Sequence, residues 1–188
     1  MIEEIINSIY PMSTNSLKEL EALIEVEAIK KGETFIKRNK RDKKEYFVLD
    51  GVCRSYLINP EGEEITISFF TSKSILSPYT TRTIEEISVL NFQALTAVKT
   101  VAIDAAKFEK LMIDNLEIRN FGNTVLRNEL ARKVDKEIGL ASLTAKERLI
   151  EFRNQFPMLE NLIPHPAIAS YLGITNISLS RLRRDLMK

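Results

Sequence analysis

The sequence predicts an α+β protein, in which an N-terminal antiparallel β-roll is followed by a long helix and a small C-terminal helical domain. Three observations support this fold class. Short segments rich in β-branched and aromatic residues alternate with glycine turns through the first half of the chain. A helical apolar period returns after Asp104. The closing segment, Pro164 to Lys188, has the small residue, glycine and apolar spacing of two short crossing helices.

Composition limits the classes of function. The chain has 188 residues and a net charge of +1, so any affinity for nucleic acid must come from a local basic patch. A single cysteine, Cys53, and a single histidine, His165, exclude a disulfide framework and the multi-histidine sites of metal-dependent barrel enzymes. We therefore expect neither an enzyme nor a bound cofactor. Because no apolar run is long enough to span a membrane and Met1 to Tyr10 lacks a signal-peptide layout, we expect a cytoplasmic protein.

The first half of the chain begins with two predicted helices, Met1 to Ile9 and Ser16 to Ile24, separated by Pro11. Strands are predicted wherever β-branched and aromatic residues cluster: Thr34 to Ile36, Tyr46 to Leu49, Val52 to Ile58, Glu64 to Phe70, Ser88 to Phe92, Ala94 to Val98 and Thr100 to Ile103. Asp50-Gly51 and Glu61-Gly62 are predicted hairpin turns. Strands and turns at this spacing indicate an antiparallel sandwich or roll.

A Ser/Thr/Pro-rich run, Thr71 to Thr83, interrupts this pattern. Such a run is either a solvated loop or a loop that contacts a ligand. Arg82 is its only strong anion binder, so ligand contact would depend on that side chain.

The long helix is predicted over Leu116 to Gly139 and is apolar on two sides. Ile118, Phe121 and Val125 mark one side, and Leu126, Leu130 and Val134 mark the other. The roll can cover one side. The second side is covered either by the same helix of a second subunit or by burial within a monomer. Because few other elements remain, the homodimer is favoured.

Thr144 and Glu147 have the spacing of a capping box for a helix over Ala145 to Gln155. The preceding segment, Gly139 to Leu143, is then the expected hinge. The predicted domains are residues 1–114 for the roll, 115–139 for the dimerisation helix and 140–188 for the C-terminal domain.

The closing segment predicts a helix-turn-helix, with helices starting at Pro166 and after Thr175. Ala169 permits close approach of the two helices, and Gly173 allows the chain to reverse with a positive φ. The exposed face of the second helix carries side chains suited to DNA: Asn176, Ser178, Arg181, Arg183 and Arg184. The alternative is an ordinary helix end, where the macrodipole favours basic residues.

Four segments of the chain are informative when they are taken together: KKGETFI at Lys30 to Ile36, YFVLDGVCRSYL at Tyr46 to Leu57, NPEGEEITISFF at Asn59 to Phe70, and ASYLGITNISLSRLR at Ala169 to Arg183. In this order and spacing they resemble the Crp/Fnr family of transcriptional regulators, of the cyclic-AMP receptor type. The resemblance implies a cyclic-nucleotide-binding-like jelly roll, a dimerisation helix and a DNA-reading helix-turn-helix. The partners it implies are double-stranded DNA and a second subunit, with RNA polymerase a further candidate. The ending is similar to a short branch of the family without a β-hairpin wing.

The resemblance also locates an effector region. Family members that bind cyclic AMP use a Gly-Glu pair and an Arg followed by Ser or Thr, and the corresponding positions here are Ser77-Pro78 and Ser88-Val89. The positions that would meet the base fall near Lys133 and Val134. We therefore expect a degenerate cassette that does not bind cyclic AMP, with an unknown small-molecule effector. The candidate pocket residues are Ser77, Arg82, Ser88 and Lys133. One cysteine and one histidine likewise do not suit an iron–sulfur or haem regulator.

The family's base-reading positions carry over singly. Arg181 corresponds to the arginine that reads guanine, and Asn176 faces a base. Ile177 stands where many relatives have glutamate, so contact with a thymine methyl is expected. Phosphate contacts are expected from Thr175, Ser178 and His165. Arg183 and Arg184 remain open between phosphate and solvent.

The expected function is a homodimeric, sequence-specific DNA-binding transcription regulator. One rival is a ligand-sensing or protein-interaction module with weak or vestigial DNA binding. A second rival, a roll-based enzyme, would need a metal or a nucleophile and base together, and the shortage of His and Cys disfavours it.

Overall fold

Two four-stranded antiparallel sheets face each other to form the roll in this computed structural model, which describes residues 2–76 and 86–186. The strand orders are β1-β8-β3-β6 and β2-β7-β4-β5. The strands are β1 Ile24–Ile29, β2 Thr34–Ile36, β3 Lys44–Asp50, β4 Cys53–Ile58, β5 Glu64–Phe70, β6 Ser74–Leu76, β7 Asn91–Ala94 and β8 Val98–Asp104.

The interior of the roll is packed with apolar side chains from both sheets. Val48 and Leu76 of the first sheet and Cys53 and Phe92 of the second have almost no exposed surface. Successive strand residues point to opposite faces of a sheet, so the same strands also present a second set of side chains outward. Each outer face is covered by helices.

Four helices cover the outer face of the first sheet: α1 Ile2–Ile9, α2 Thr14–Glu21, α3 Ala105–Asp114 and α4 Leu116–Ser142. Phe47 of β3 stacks on Phe121 of α4 with ring centroids 6.3 Å apart. Gly122 lets α3 approach α4, because a Cβ there would lie 2.5 Å from Sδ of Met112. The roll therefore covers the side of α4 that carries Ile118, Phe121 and Val125.

The remaining helices cover the outer face of the second sheet: α5 Ala145–Gln155, α6 Leu159–Leu162, α7 His165–Tyr171 and α8 Asn176–Asp185. Val52, Phe69 and Leu95 of the roll share one apolar cluster with Phe152 of α5 and Ile168 of α7, among others. The C-terminal helices are thus docked on the roll. Among residues 2–76 and 86–186, no helix has the length and apolarity needed to cross a membrane.

Several elements match the sequence analysis. The helix over Ala145–Gln155 has the predicted bounds, and Thr144 and Glu147 form its capping box. Glu61-Gly62 joins the antiparallel pair β4 and β5, as expected for a hairpin.

The predicted hairpin at Asp50-Gly51 is wrong. The strands on either side of it, β3 and β4, lie in different sheets. The turn therefore carries the chain from one sheet to the other. Residue alternation indicates which side chains face the core, but it does not specify the hydrogen-bonded partner of a strand.

Three other boundaries differ. The second helix is Thr14–Glu21, because Ser13 caps its start and Ile24 already pairs with Ile103 in β1. Part of the run predicted as a loop forms strand β6, which pairs with β3. The strand predicted over Ala94 to Val98 is instead the connection between two strands, since Ala94 ends β7, Val98 begins β8 and the residues between them bend.

The long helix does not end at Gly139 but continues through Ser142. Leu143 is its C-cap and has an extended conformation. The backbone break therefore lies at Leu143, at the end of the segment predicted as a hinge.

Candidate nucleic-acid interface and interdomain junction

The α7 and α8 helices, here called the α7–α8 unit, pack through the side chains predicted to join them. Ile168, Ala169 and Leu172 of the first part are buried, as is Leu179 of α8. Gly173 has φ +66° in the connecting turn, where residues with a Cβ are strained. The helix α7 begins at His165, one residue before the predicted start, with Pro164 as its N-cap.

The start of α8 is fixed by a side-chain cap. Thr175 Oγ1 accepts a hydrogen bond from the Ser178 backbone N–H at 3.1 Å, and the two hydroxyl oxygens lie 3.0 Å apart. Both hydroxyls are therefore engaged locally, although Thr175 remains exposed. Phosphate contact by either side chain would have to share these bonds.

The side of α8 that faces away from the buried Leu179 is free for contact with another molecule. Asn176, Ile177, Arg181 and Arg184 are all exposed, and Ile177 retains 66% of its accessible surface. Ile177, Arg181 and Arg184 lie at positions i, i+4 and i+7, on one helix face. In the described part of the chain, neither Arg181 nor Arg184 forms an ion pair with a carboxylate.

Arg183 has a different environment from Arg181 and Arg184. Its Nε lies 2.6 Å from Oε1 of Glu160 in α6, and its Nη1 lies 2.8 Å from Nε2 of His165. Glu160 also pairs with Arg153 of α5 at 2.7 Å. Desolvation raises the pKa of Glu160, but the two arginines outweigh it and the pKa is lowered overall. Arg183 therefore holds α8 against α6 and α7, a role that the sequence did not predict.

The structure describes two of the four predicted effector residues, Ser88 and Lys133. Ser77 and Arg82 lie outside the described residues. Ser88 is fully buried, and its hydroxyl donates to the Leu90 carbonyl oxygen at 2.7 Å. Lys133 lies on α4 and pairs with Glu129 at 3.4 Å. The structure thus places Ser88 and Lys133 in separate local interactions.

A polar network joins the roll to α7. Arg54 is nearly buried, donates to Gln93 at 2.7 Å and to Thr66 at 3.3 Å, and pairs with Glu64. The Thr66 backbone N–H in turn donates to Ser170 Oγ of α7 at 3.1 Å. Because a buried polar group left without its partner is costly, these bonds specify where α7 docks on the sheet.

An aromatic cluster forms the apolar part of the same junction. The ring of Phe69 in β5 lies 5.9 Å from Phe152, 6.0 Å from Phe156 and 5.0 Å from Tyr171, measured between centroids. Aromatic pairs at these separations are favourable beyond the area they bury. The C-terminal helices and the roll therefore share one core.

Lys136 lies beside this cluster and contacts all three parts of the molecule. Its Nζ donates to the Ile67 carbonyl oxygen of β5 at 2.6 Å and lies 3.9 Å from the ring centroid of Tyr171. Burial, assisted by the charge of Lys133, lowers the pKa of Lys136 to about 8. Two cavities, of about 560 and 290 Å³, are lined by this side chain.

Residues 26–115 match the cyclic nucleotide-binding domain family. The match covers the strands of the roll and the helix α3 that follows them. No curated protein sequence matches the chain at a significant level.

Solved structures extend the likeness to the C-terminal helices. FixK2 from Bradyrhizobium japonicum is 19% identical, with a TM-score of 0.75 over 87% of this chain and 84% of that one. A transcriptional regulator assigned to the Crp/Fnr family from Eubacterium rectale is 18% identical, with a TM-score of 0.73 over 94% and 84%. A CooA mutant from Carboxydothermus hydrogenoformans is 22% identical, with a TM-score of 0.69 over 93% and 79%. At these identities the likeness shows a common fold.

The residues of the junction escaped the sequence analysis. Arg54 carried one local signal, since it is a charged residue within an apolar strand. Phe69 and Lys136 carried none, because an outward aromatic side chain on a strand and a lysine on a helix are both common. Their importance depends on which elements the fold brings against them.

Proposed function

We propose that this protein is a homodimeric, sequence-specific DNA-binding transcription regulator of the Crp/Fnr type. In this proposal the α7–α8 unit is a helix-turn-helix whose second helix enters the major groove. The observation that carries the proposal is the exposed face of α8. It presents Asn176, Ile177, Arg181 and Arg184 on a helix whose other face is anchored by Leu179. The common fold with known transcription regulators supports it.

The side chains of this face suit base reading. Arginine forms paired hydrogen bonds to guanine, asparagine does so to adenine, and an apolar side chain contacts the thymine methyl. Arg181, Asn176 and Ile177 supply these three types of contact. Arg184, with Thr175, Ser178 and His165, is assigned to the phosphate backbone in this proposal.

Selection of bound fragments from random double-stranded DNA tests the proposal. We expect enrichment of a near-palindromic site with half-sites about 34 Å apart, because a two-fold dimer presents two recognition helices. Affinity should fall steeply with salt, since phosphate contacts release counterions. Weak binding without an enriched sequence would favour the rival function of a ligand-sensing or protein-interaction module.

We further propose that cyclic AMP is not the effector. The Ser88 hydroxyl is already bonded to Leu90, and the roll interior is filled by side chains such as Phe70 and Phe92. Calorimetric titration with cyclic AMP and cyclic GMP should give no heat of binding. Micromolar binding of either nucleotide would contradict this.

Coupling between the roll and DNA would act through the distance between the two recognition helices. One spin label on each subunit of the proposed dimer can measure this distance. A new cysteine can be labelled selectively, because Cys53 is the chain's only cysteine and is fully buried. Burial also raises the pKa of its thiol to about 12, which suppresses labelling there. We expect Asn161→Cys, on the exposed surface of α6, to give a distance distribution that shifts when operator DNA is added, because the ion pair of Glu160 with Arg183 holds α6 to α8. An unchanged distribution would contradict coupling through this distance.

A further inference from the structure

We propose that the smaller junction cavity binds a small organic anion with a planar apolar body, whose charged group is held by the Lys136 ammonium. The cavity measures about 290 Å³ and lies between β5, α4, α5 and α7. This volume is near the lower end of the range for small-molecule sites. Of the two effector residues expected from sequence that the structure describes, Ser88 and Lys133, it is Lys133 that lines this cavity.

The charge in the cavity is positive and incompletely balanced. An ammonium group has three donor hydrogens, and Lys136 donates to the Ile67 carbonyl oxygen. Among residues 2–76 and 86–186, no carboxylate forms an ion pair with it. Glu129, which also lines the cavity, is engaged by Arg132 at 2.6 Å and by Lys133 at 3.4 Å. An anionic ligand would supply the missing countercharge.

Partial burial makes this imbalance significant, because Lys136 is only partly exposed. A partly desolvated charge without a countercharge lowers stability, so such groups are uncommon outside functional sites. Two features of Lys136 offset only part of this cost: its aliphatic stem is apolar, and its ammonium group lies over the ring of Tyr171. A carboxylate, sulfonate or phosphate group beside Lys136 would offset more of it through a charge-assisted hydrogen bond.

The other walls favour a planar apolar body. Ile67, Leu140, Phe156 and Tyr171 line the cavity. Glu137 also lines it and disfavours a second negative charge on the ligand. The ligand class is therefore a monoanion with one flat apolar portion.

The cavity lies where three parts of the molecule meet, so a ligand bound there would affect how they are held together. A ligand there contacts the roll through β5, the long helix through α4, and the C-terminal domain through α5 and α7. It would therefore stabilise the docked arrangement of these three parts. Any resulting change in DNA affinity rests on the proposed function, whereas ligand binding does not.

Fluorescence titration with 8-anilino-1-naphthalenesulfonate, an aromatic monoanion, tests binding without DNA. We expect one saturable site in the wild-type protein. Lys136→Met should weaken binding at least tenfold, because it removes the charge but keeps the length of the side chain. Lys110→Met, the same substitution on the exposed surface of α3, should bind like the wild type.

Gln155→Trp gives a second variant that leaves Lys136 unchanged. Gln155 is exposed and lines the cavity, so a larger side chain can occupy the cavity without disturbing the core. We expect binding to be lost while thermal unfolding remains cooperative. Absence of wild-type binding, or wild-type affinity in either Lys136→Met or Gln155→Trp, would overturn the proposal.

Discussion

Arg181 and Arg183 are two positions apart on α8, but their side chains have different surroundings. Arg183 is held by Glu160 and His165, whereas Arg181 is exposed and has no acidic partner within residues 2–76 and 86–186. A guanidinium group that is free in the protein can form paired hydrogen bonds to guanine. Of the two arginines, Arg181 is therefore the one whose guanidinium group is free to contact another molecule.

Replacing Arg181 with alanine should relax preference at one base-pair position, at a cost of about 1 to 3 kcal/mol. Competition binding with single-base variants of the selected site measures this. Arg184→Ala is the matched control and should weaken all sites by a similar factor while reducing the salt slope by about 1. A uniform loss in Arg181→Ala would make it a phosphate contact only.

Lys136 should make stability depend on pH. Its folded pKa of about 8 lies below the ordinary lysine value, so between these values the unfolded chain holds a proton that the folded protein has released. By linkage, stability rises with pH across this window, and below it the penalty for the buried charge is present in full. Glu129, Arg132 and Lys133 of α4 and Tyr171 of α7 surround the same space.

Denaturant unfolding at pH 7 and pH 9.5 tests this linkage. Relative to Lys136→Met, the wild type should gain about 2 kcal/mol between the two values. Lys110→Met is the control and should gain as much as the wild type. An equal gain in Lys136→Met would show that the lysine titrates normally.

The long helix α4 has one apolar side that is buried and one that is exposed. Its buried side packs on Phe47 through Phe121, while Leu130, Val134 and Ile138 on the other side retain 62, 44 and 57% of their surface. These three residues repeat every four positions and form one apolar stripe. A second copy of the helix would cover it, which is the proposed dimer interface.

Leu130→Glu should dissociate the proposed dimer. Loss of two buried leucines costs about 3 to 6 kcal/mol, so the dissociation constant should rise by roughly 100-fold or more. Sedimentation equilibrium measures this. Asn128→Glu, which introduces the same charge off the stripe, should leave assembly unchanged. A monomeric wild-type protein, or a dimeric Leu130→Glu, would contradict the interface.

The roll and the C-terminal helices share one apolar core, and this core links the two ends of the molecule. An isolated C-terminal domain would expose the surface that Phe69 now covers. Movement of the α7–α8 unit must therefore break contacts with β5. The docking of the two parts and the position of α8 are physically linked.

Phe69→Ala should loosen this docking, with a cost of about 3 to 5 kcal/mol for the lost ring. Hydrogen exchange should then increase in α5 and α7 while the roll interior remains protected. Phe47→Ala is the matched control, since it removes a ring of the same type from the outer face of the other sheet. The same exchange pattern in both variants would indicate general destabilisation in place of undocking.

Part of this arrangement could be predicted from local sequence. The capping box of Thr144 and Glu147, the turn at Gly173 and the apolar spacing of α8 depend on residues within a few positions of one another. The exposed face of α8 follows from the same periodicity. Strand β6 escaped prediction because its three residues are held by pairing with β3, far away in the chain.

Local propensity and periodicity were therefore enough to predict the succession of strands and helices in outline, the long helix with two apolar sides and the basic face of α8. The change of sheet at Gly51, the pairing of Arg183 with Glu160 and the contact of Lys136 with Tyr171 became apparent only in the folded chain. Contacts of this kind join residues distant in the chain. Their energies depend on burial and partner geometry, which local sequence patterns do not specify.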